Sequence, residues 1–264
     1  MTIEEAKPAA QDEVVRLERA GGVLVVTIDR PQVRNAINTA TASAIAGAME
    51  TLDSDTDLVA GVITGAGGTF CTGMDLKAFL AGERPSIPGR GFAGIVERPP
   101  DKPIIAAVEG HAVAGGFEIV LACDLVVAAE NAVFGLPEVR RGLVAAGGGL
   151  LRLPERIPYH HAMQWALTGA MVPADKAFDA GLVNILTAPG QAVDQAVQLA
   201  GSIAANGPLA VRATKQIIQR SRDWSREVAF AAQREISEPV RASEDAREGA
   251  LAFTEKRPPR WTGR

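Results

Sequence analysis

Residues 102–138 read KPIIAAVEGHAVAGGFEIVLACDLVVAAENAVFGLPE. The apolar run Ile104–Val108 is too short for a helix and is bounded by Pro103 and a glycine-containing turn, so it reads as a buried strand. GHAVAGG then opens a helix from about Gly115 to Ala122, and Asp124–Ala129 is a strand again. Strand, turn, helix and strand in this order predict an α/β chain whose parallel strands are joined by crossover helices.

The pattern extends in both directions. Upstream, Val14–Leu17 and Val23–Ile28 predict two strands around a turn at Ala20–Gly22, with residues 1–13 as a frayed tail. The loop RPQVRNAIN (residues 30–38) leads to a helix over Thr39–Leu52, and Leu58–Thr64 predicts a buried strand ended by GAGG. Residues 81–101 carry Pro85, Pro88, Pro99 and Pro100 and predict a loop or lid without regular structure. From Leu150 onward the apolar spacing is helical. The expected organisation is a core over 14–200 and a helical region over 201–264. Ala-rich helices between Gly207 and Ile236 carry apolar faces too extensive to leave in water.

The bulk properties narrow the function. A net charge of −4 does not suit the counterion displacement that non-specific nucleic-acid binding requires. No apolar run approaches a membrane span, and the acidic N-terminus MTIEEAKPAAQDE lacks a signal peptide's apolar segment. The cysteines, Cys71 and Cys123, do not make a disulfide framework, which points to a reduced, cytoplasmic protein. His111, His160 and His161 form no metal-ligand spacing with them.

Four places could carry chemistry. In GHAVAGGFE, the first N–H groups of a helix lack internal partners and lie at the positive end of its dipole, where they can meet a developing negative oxygen. Glu118 follows Gly115 at i+3, on the same helix face. Alone, Gly-Gly is equally an ordinary tight turn, and a first-turn Glu a dipole-favoured surface residue. FCTGMDLKAF (residues 70–79) is a second turn into a helix, which Asp75 can cap. FGLPEVRRGLVAAGGG (residues 134–149) starts a short helix at Pro137, holds Glu138 in its first turn, and ends in a second glycine turn. In RPQVRNAIN, Arg34 could pair with a phosphate while Asn35 and Asn38 order the loop. His111 as a base and Cys71 as a nucleophile are weaker alternatives, since neither has an evident partner nearby in sequence.

Taken in order, RNAIN, GAGGTFCTGMDLKAF, residues 102–138 and LTGAMVPADKAFDAGLVNIL strongly resemble the crotonase (enoyl-CoA hydratase/isomerase) superfamily over about residues 14–256. The wording GMDLKA, GFE and LRLPERIPY is similar to its carnitinyl-CoA dehydratase-like members. The resemblance implies a spiral of ββα units with a C-terminal helical region that assembles trimers or dimers of trimers. It implies an oxyanion hole from the backbone N–H groups of Met74 and Gly115, catalytic carboxyls at Glu118 and Glu138, and coenzyme A contacts from Arg34, Ala36, Cys71 and Lys256. Lys256 would reach the ligand of a neighbouring subunit. Retention of both glutamates implies enoyl-CoA hydration, with isomerisation or carnitinyl-CoA-type dehydration as the runner-up and acyl-CoA binding without catalysis as the alternative of another class. Coenzyme A is then part of the substrate, and no separate cofactor or metal is implied. Two departures stand out: LVAAGGG lacks the family's frequent proline, and Met74 replaces a common small residue.

Overall fold

The computed structural model describes residues 14–264, so the expected tail over 1–13 lies outside the described residues. In chain order the strands are β1 (Val15–Ala20), β2 (Val23–Ile28), β3 (Ala60–Gly65), β4 (Ser86–Ile87), β5 (Gly91–Phe92), β6 (Ile104–Val108), β7 (His111–Val113), β8 (Leu125–Ala129), β9 (Val133–Gly135), β10 (Val172–Pro173) and β11 (Ile185–Thr187). The helices are α1 (Thr39–Ser54), α2 (Leu76–Leu80), α3 (Gly115–Ala122), α4 (Gly149–Arg156), α5 (Tyr159–Thr168), α6 (Ala174–Asp179), α7 (Ala192–Ala204), α8 (Pro208–Arg220), α9 (Arg226–Arg241) and α10 (Glu244–Glu255).

A six-stranded sheet has the order β1-β2-β3-β6-β8-β11; β1 pairs antiparallel with β2 and the other pairs are parallel. Its inner strands are apolar throughout because both faces are covered. Successive side chains alternate between faces, so Leu24, Val26 and Ile28 join one core with Ile45, Met49 and Phe117. Val23, Val25, Val62 and Ile105 instead pack on Ala192, Ala196 and Ala200 of α7. The expected boundary at 200 therefore falls inside α7, which belongs to the core. A second sheet, β10-β9-β7, carries β7 into α3.

Residues 81–101 depart from the expected irregular loop, since β4 and β5 form a short hairpin. Pro88 and Gly89 make the turn: Gly89 has φ +72°, and the Arg90 N–H donates to the Ile87 carbonyl at 2.9 Å. The first strand also runs further than expected, to Ala20. No helix among the described residues is long and apolar enough to cross a membrane.

The C-terminal helices attach through α8. Lys215, 9% exposed, donates from Nζ to Asp124 Oδ2 at 2.6 Å and to the Pro100 and Lys102 carbonyls. Asp124 also accepts the Ile104 N–H at 2.9 Å, so one carboxylate ties β6 to α8. Trp261 returns the chain end to α7, donating Nε1–H to the Ala205 carbonyl. Removing the cation from such a pair strands a partly buried carboxylate. Lys215→Met is expected to lower the unfolding free energy by about 3 kcal/mol in a denaturant titration, and Asp124→Asn in that background to restore part of it.

Candidate active site

The site is built where two segments cross. The Cys71 N–H donates to the His111 carbonyl at 2.9 Å, and the Val113 N–H donates to the Cys71 carbonyl at 3.0 Å, so residue 71 runs parallel to β7. Beyond it, Gly73 has φ +89°, which only glycine adopts easily. Its carbonyl accepts the Ile37 N–H at 2.8 Å. Because C=O and N–H of a trans peptide point in opposite directions, the Met74 N–H is aimed away from Ile37. A Cβ on Gly73 would lie 2.9 Å from the Gly115 nitrogen, which locates the second donor beside this peptide. Neither the Met74 nor the Gly115 N–H has a hydrogen-bond partner among the described residues. They are free to meet an oxygen.

The Gly115–Gly116 pair does two jobs. A Cβ at Gly116 would overlap the Cys71 carbonyl, so this glycine permits the crossing itself. A Cβ at Gly115 would meet the Phe92 ring at 2.5 Å, so this ring packs against the glycine's Cα. Ala114, which caps α3, is held at φ 52° and ψ −129°, a conformation that costs an L-residue on the order of 1–3 kcal/mol. Strain of this kind gathers where geometry serves function.

Glu118 lies one turn into α3 and is 4% exposed. Its Oε1 accepts the Gly149 N–H at 3.0 Å, and a Cβ on Gly147 would sit 2.5 Å from Oε2. The glycine turn before α4 is therefore a cradle for this carboxylate. Burial pushes the Glu118 carboxyl above its ordinary range, while the Gly149 and Gly147 N–H groups and the nearby Arg152 guanidinium oppose that push. Glu138 stands in the 3₁₀ turn Pro137–Arg141. Its Oε2 is buried with no partner. Burial raises its pKa too, its own N–H opposes, and the charge of Glu118 raises it further, so the two carboxyls lie near enough to influence each other.

The other expected residues sort themselves by exposure. Arg34 is exposed on the loop after Pro31–Val33 and takes a left-handed conformation, as does Asn35. Asn35 is fully buried; it donates to the Ala66 and Thr69 carbonyls and accepts the Arg30 N–H, so it holds Arg34 out toward solvent. Ala36 is 8% exposed beneath it. Cys71 has no exposed surface, and burial pushes its thiol up to about 12, so it is neither nucleophile nor side-chain contact for a ligand. The backbone of Cys71, not its thiol, is what the crossing uses. Lys256 is exposed at the end of α10, and no hydrogen bond or ion pair joins it to these residues among those described. His111 is exposed on β7.

Sequence reading missed Phe92, the Gly147–Gly149 cradle as a partner of Glu118, and the Arg30–Asp75 ion pair (3.0 Å) that ties the Arg34 loop to the Met74 segment. The helical spacing of GGGLLR could have placed Arg152 beside the cradle. Nothing local marks Phe92.

The sequence model described as "Enoyl-CoA hydratase/isomerase" matches residues 18–264. The chain is 42% identical over 260 residues to a carnitinyl-CoA dehydratase of Salmonella arizonae, covering 95% of this chain and 99% of the relative. It is 41% identical over 259 residues to the enoyl-CoA hydratase EchA19 of Mycobacterium tuberculosis, covering 94% and 96%. Its fold is similar to the crystal structure of enoyl-CoA hydratase EchA1 from Mycobacterium marinum, with a TM-score of 0.94, 57% identity and coverage of 96% and 100%. A carnitinyl-CoA hydratase structure from Mycobacterium avium aligns with a TM-score of 0.77 at 43% identity, covering 96% and 100%. The chain belongs to the enoyl-CoA hydratase/isomerase family.

Proposed function

We propose that the protein is an enoyl-CoA hydratase that adds water reversibly across a 2-enoyl-CoA thioester, with no cofactor beyond the coenzyme A of its substrate. The observation that carries this reading is the unlike pair of carboxyls. Glu118 accepts the Gly149 N–H in a cradle with a guanidinium nearby, which favours its ionised form. Glu138 has an unpartnered buried oxygen and feels the charge of Glu118, which favours its protonated form. A base and an acid side by side are what hydration needs.

In the forward direction, Glu118 takes a proton from water as the water oxygen bonds to Cβ. The electrons of the double bond move toward the thioester, whose oxygen gains negative charge between the Met74 and Gly115 N–H groups. Glu138 then gives its proton to Cα. The exposed Arg34 is set to meet the phosphates of coenzyme A, over the buried floor that includes Ala36. Carnitinyl-CoA-type dehydration, favoured by the relatives of that name, uses the same steps in reverse on a different acyl group. Isomerisation would move the proton without water. Binding without turnover is the least economical reading of two buried carboxyls.

The assembled form supports the same site. α9 spans 16 residues and buries none, while Val228 and Phe230 are 50% and 72% exposed. A second copy is the simplest cover, and Lys256 would then be presented to a neighbouring site. Light scattering at micromolar concentration is expected to give a trimer or hexamer; a stable, active monomer would refute this.

Two tests address the carboxyls. Glu138→Gln and Glu118→Gln are each expected to lower turnover of crotonyl-CoA, followed by loss of the enoyl-thioester absorbance, by about 10²–10⁴-fold. Near-normal turnover would remove that residue from the mechanism. Glu138→Gln should also melt higher than wild type near neutral pH, by about 2–4 °C. The sign follows from the raised pKa: below the ordinary carboxyl range both folded and unfolded states are protonated, and the folded protein loses stability as pH rises through the raised value. The advantage should vanish in acid.

The donor test must respect Phe92. In a Phe92→Ala background, Gly115→Pro removes the N–H and Gly115→Ala keeps it, while both add a Cβ. Proline at a first helical position preserves the helix. The proline variant is expected to be slower than the alanine variant by about 10²–10³-fold, the loss of one oxyanion donor. Equal rates in two folded variants would mean that Gly115 is not a donor.

A further inference from the structure

Arg152 exchanges no proton in the steps above, and it is only partly exposed. Its Nη2 donates to the Val96 carbonyl at 2.6 Å. The Val96 N–H in turn donates to the Phe92 carbonyl at 3.3 Å, and the Phe92 ring packs against Gly115. On its other side the guanidinium backs the glycine cradle: a Cβ on Gly148 would lie 2.5 Å from Arg152 Nη1. Gly148 has φ +90°, a conformation that favours glycine. Gly147 and Gly149, on either side of it, are the residues against the Glu118 carboxylate.

We propose that Arg152 is a positioning residue that staples the Phe92 loop to the Gly147–Gly149 cradle and places a fixed positive charge behind the Glu118 carboxylate. The proposal rests on the reading of Glu118 as the base. Arginine suits both tasks, because its planar fork can reach the Val96 carbonyl and the turn together and its charge survives burial. A lone ammonium can keep the charge but not span both contacts.

The charge matters because burial works against an ionised Glu118. The charged groups around the pair are few. Glu138, in the 3₁₀ turn, has its own pKa raised by burial and then by the charge of Glu118, and Arg141 nearby opposes that rise. Arg156 and Glu155 flank Arg152 on α4, and Glu155 is already engaged by Arg222. Burial keeps the adjacent Cys123 thiol neutral. Glu118 must be ionised to accept a proton, so loss of the Arg152 charge raises its pKa and starves the reaction of base as pH falls.

The test is the pH profile of kcat/KM for crotonyl-CoA in Arg152→Gln, Arg152→Lys and Glu118→Gln. Arg152→Gln is expected to lower the alkaline plateau and move the acid limb to higher pH, with a deficit about tenfold larger at the acid end. Arg152→Lys should share the lower plateau but keep the acid limb of wild type. An acid limb unmoved in Arg152→Gln, or moved equally in Arg152→Lys, would overturn the electrostatic role. A wild-type plateau in Arg152→Lys would overturn the staple. If Arg152→Gln does not fold, Arg152→Lys decides alone: a lower plateau with an unmoved limb supports the proposal, and any other profile rejects it. Activity retained in Glu118→Gln would instead refute the assignment of the base, a separate failure.

Discussion

The backbone-on-backbone crossing of residues 71–74 with residues 111–116 is the contact on which the rest of the site depends. It exists because Gly116 has no Cβ to strike the Cys71 carbonyl, and because β7 and residue 71 exchange two hydrogen bonds. Once the segments lie that close, the peptide between Gly73 and Met74 and the first turn of α3 face the same small volume. Two N–H groups are left without partners there, which a fold accepts only where a ligand or water satisfies them. The strained Ala114 belongs to the same economy: a relaxed residue would point the helix start elsewhere.

The crossing also sets the direction of α3, and the helical repeat then decides where Glu118 emerges. From that point the molecule works against its own stability. Two carboxyls lie near enough to influence each other, one supported by glycine N–H groups and one with an oxygen left bare. Under the proposed function, replacing either carboxyl eases the fold and disables the chemistry, a trade-off typical of buried acid–base pairs. Anchors elsewhere offset that cost: Lys215 with Asp124 ties α8 to β6, and Arg30 with Asp75 ties the Arg34 loop to the Met74 segment.

Much of this could be read from sequence because it is local. The i to i+3 spacing of Gly115 and Glu118, the proline before Glu138, and Asp75 as a cap are properties of single turns, and the structure holds all of them. The apolar strands were legible for the same reason. What escaped notice depends on partners distant in the chain. Phe92 lies 23 positions before Gly115 in a stretch that prolines mark only as irregular. The crossing at Cys71, which seals its side chain from solvent, likewise depends on Gly116, 45 positions on. The attachment of α7 to the core is not legible in its sequence, because its alanines read as well in a peripheral helix as against a sheet.

In the proposed reaction, two fixed backbone N–H groups, those of Met74 and Gly115, polarise a thioester carbonyl at this crossing. Isotope-edited vibrational spectroscopy of an α,β-unsaturated acyl-CoA, labelled with carbon-13 at the thioester carbon and bound to the Glu138→Gln protein, measures that polarisation in the bond itself. Two charge-free donors in a water-excluding site should move the carbonyl band to lower frequency than in water, and conversion of Gly115 to proline in the Phe92→Ala background should return part of that displacement. A bound ligand whose carbonyl band matches its value in water would contradict the account.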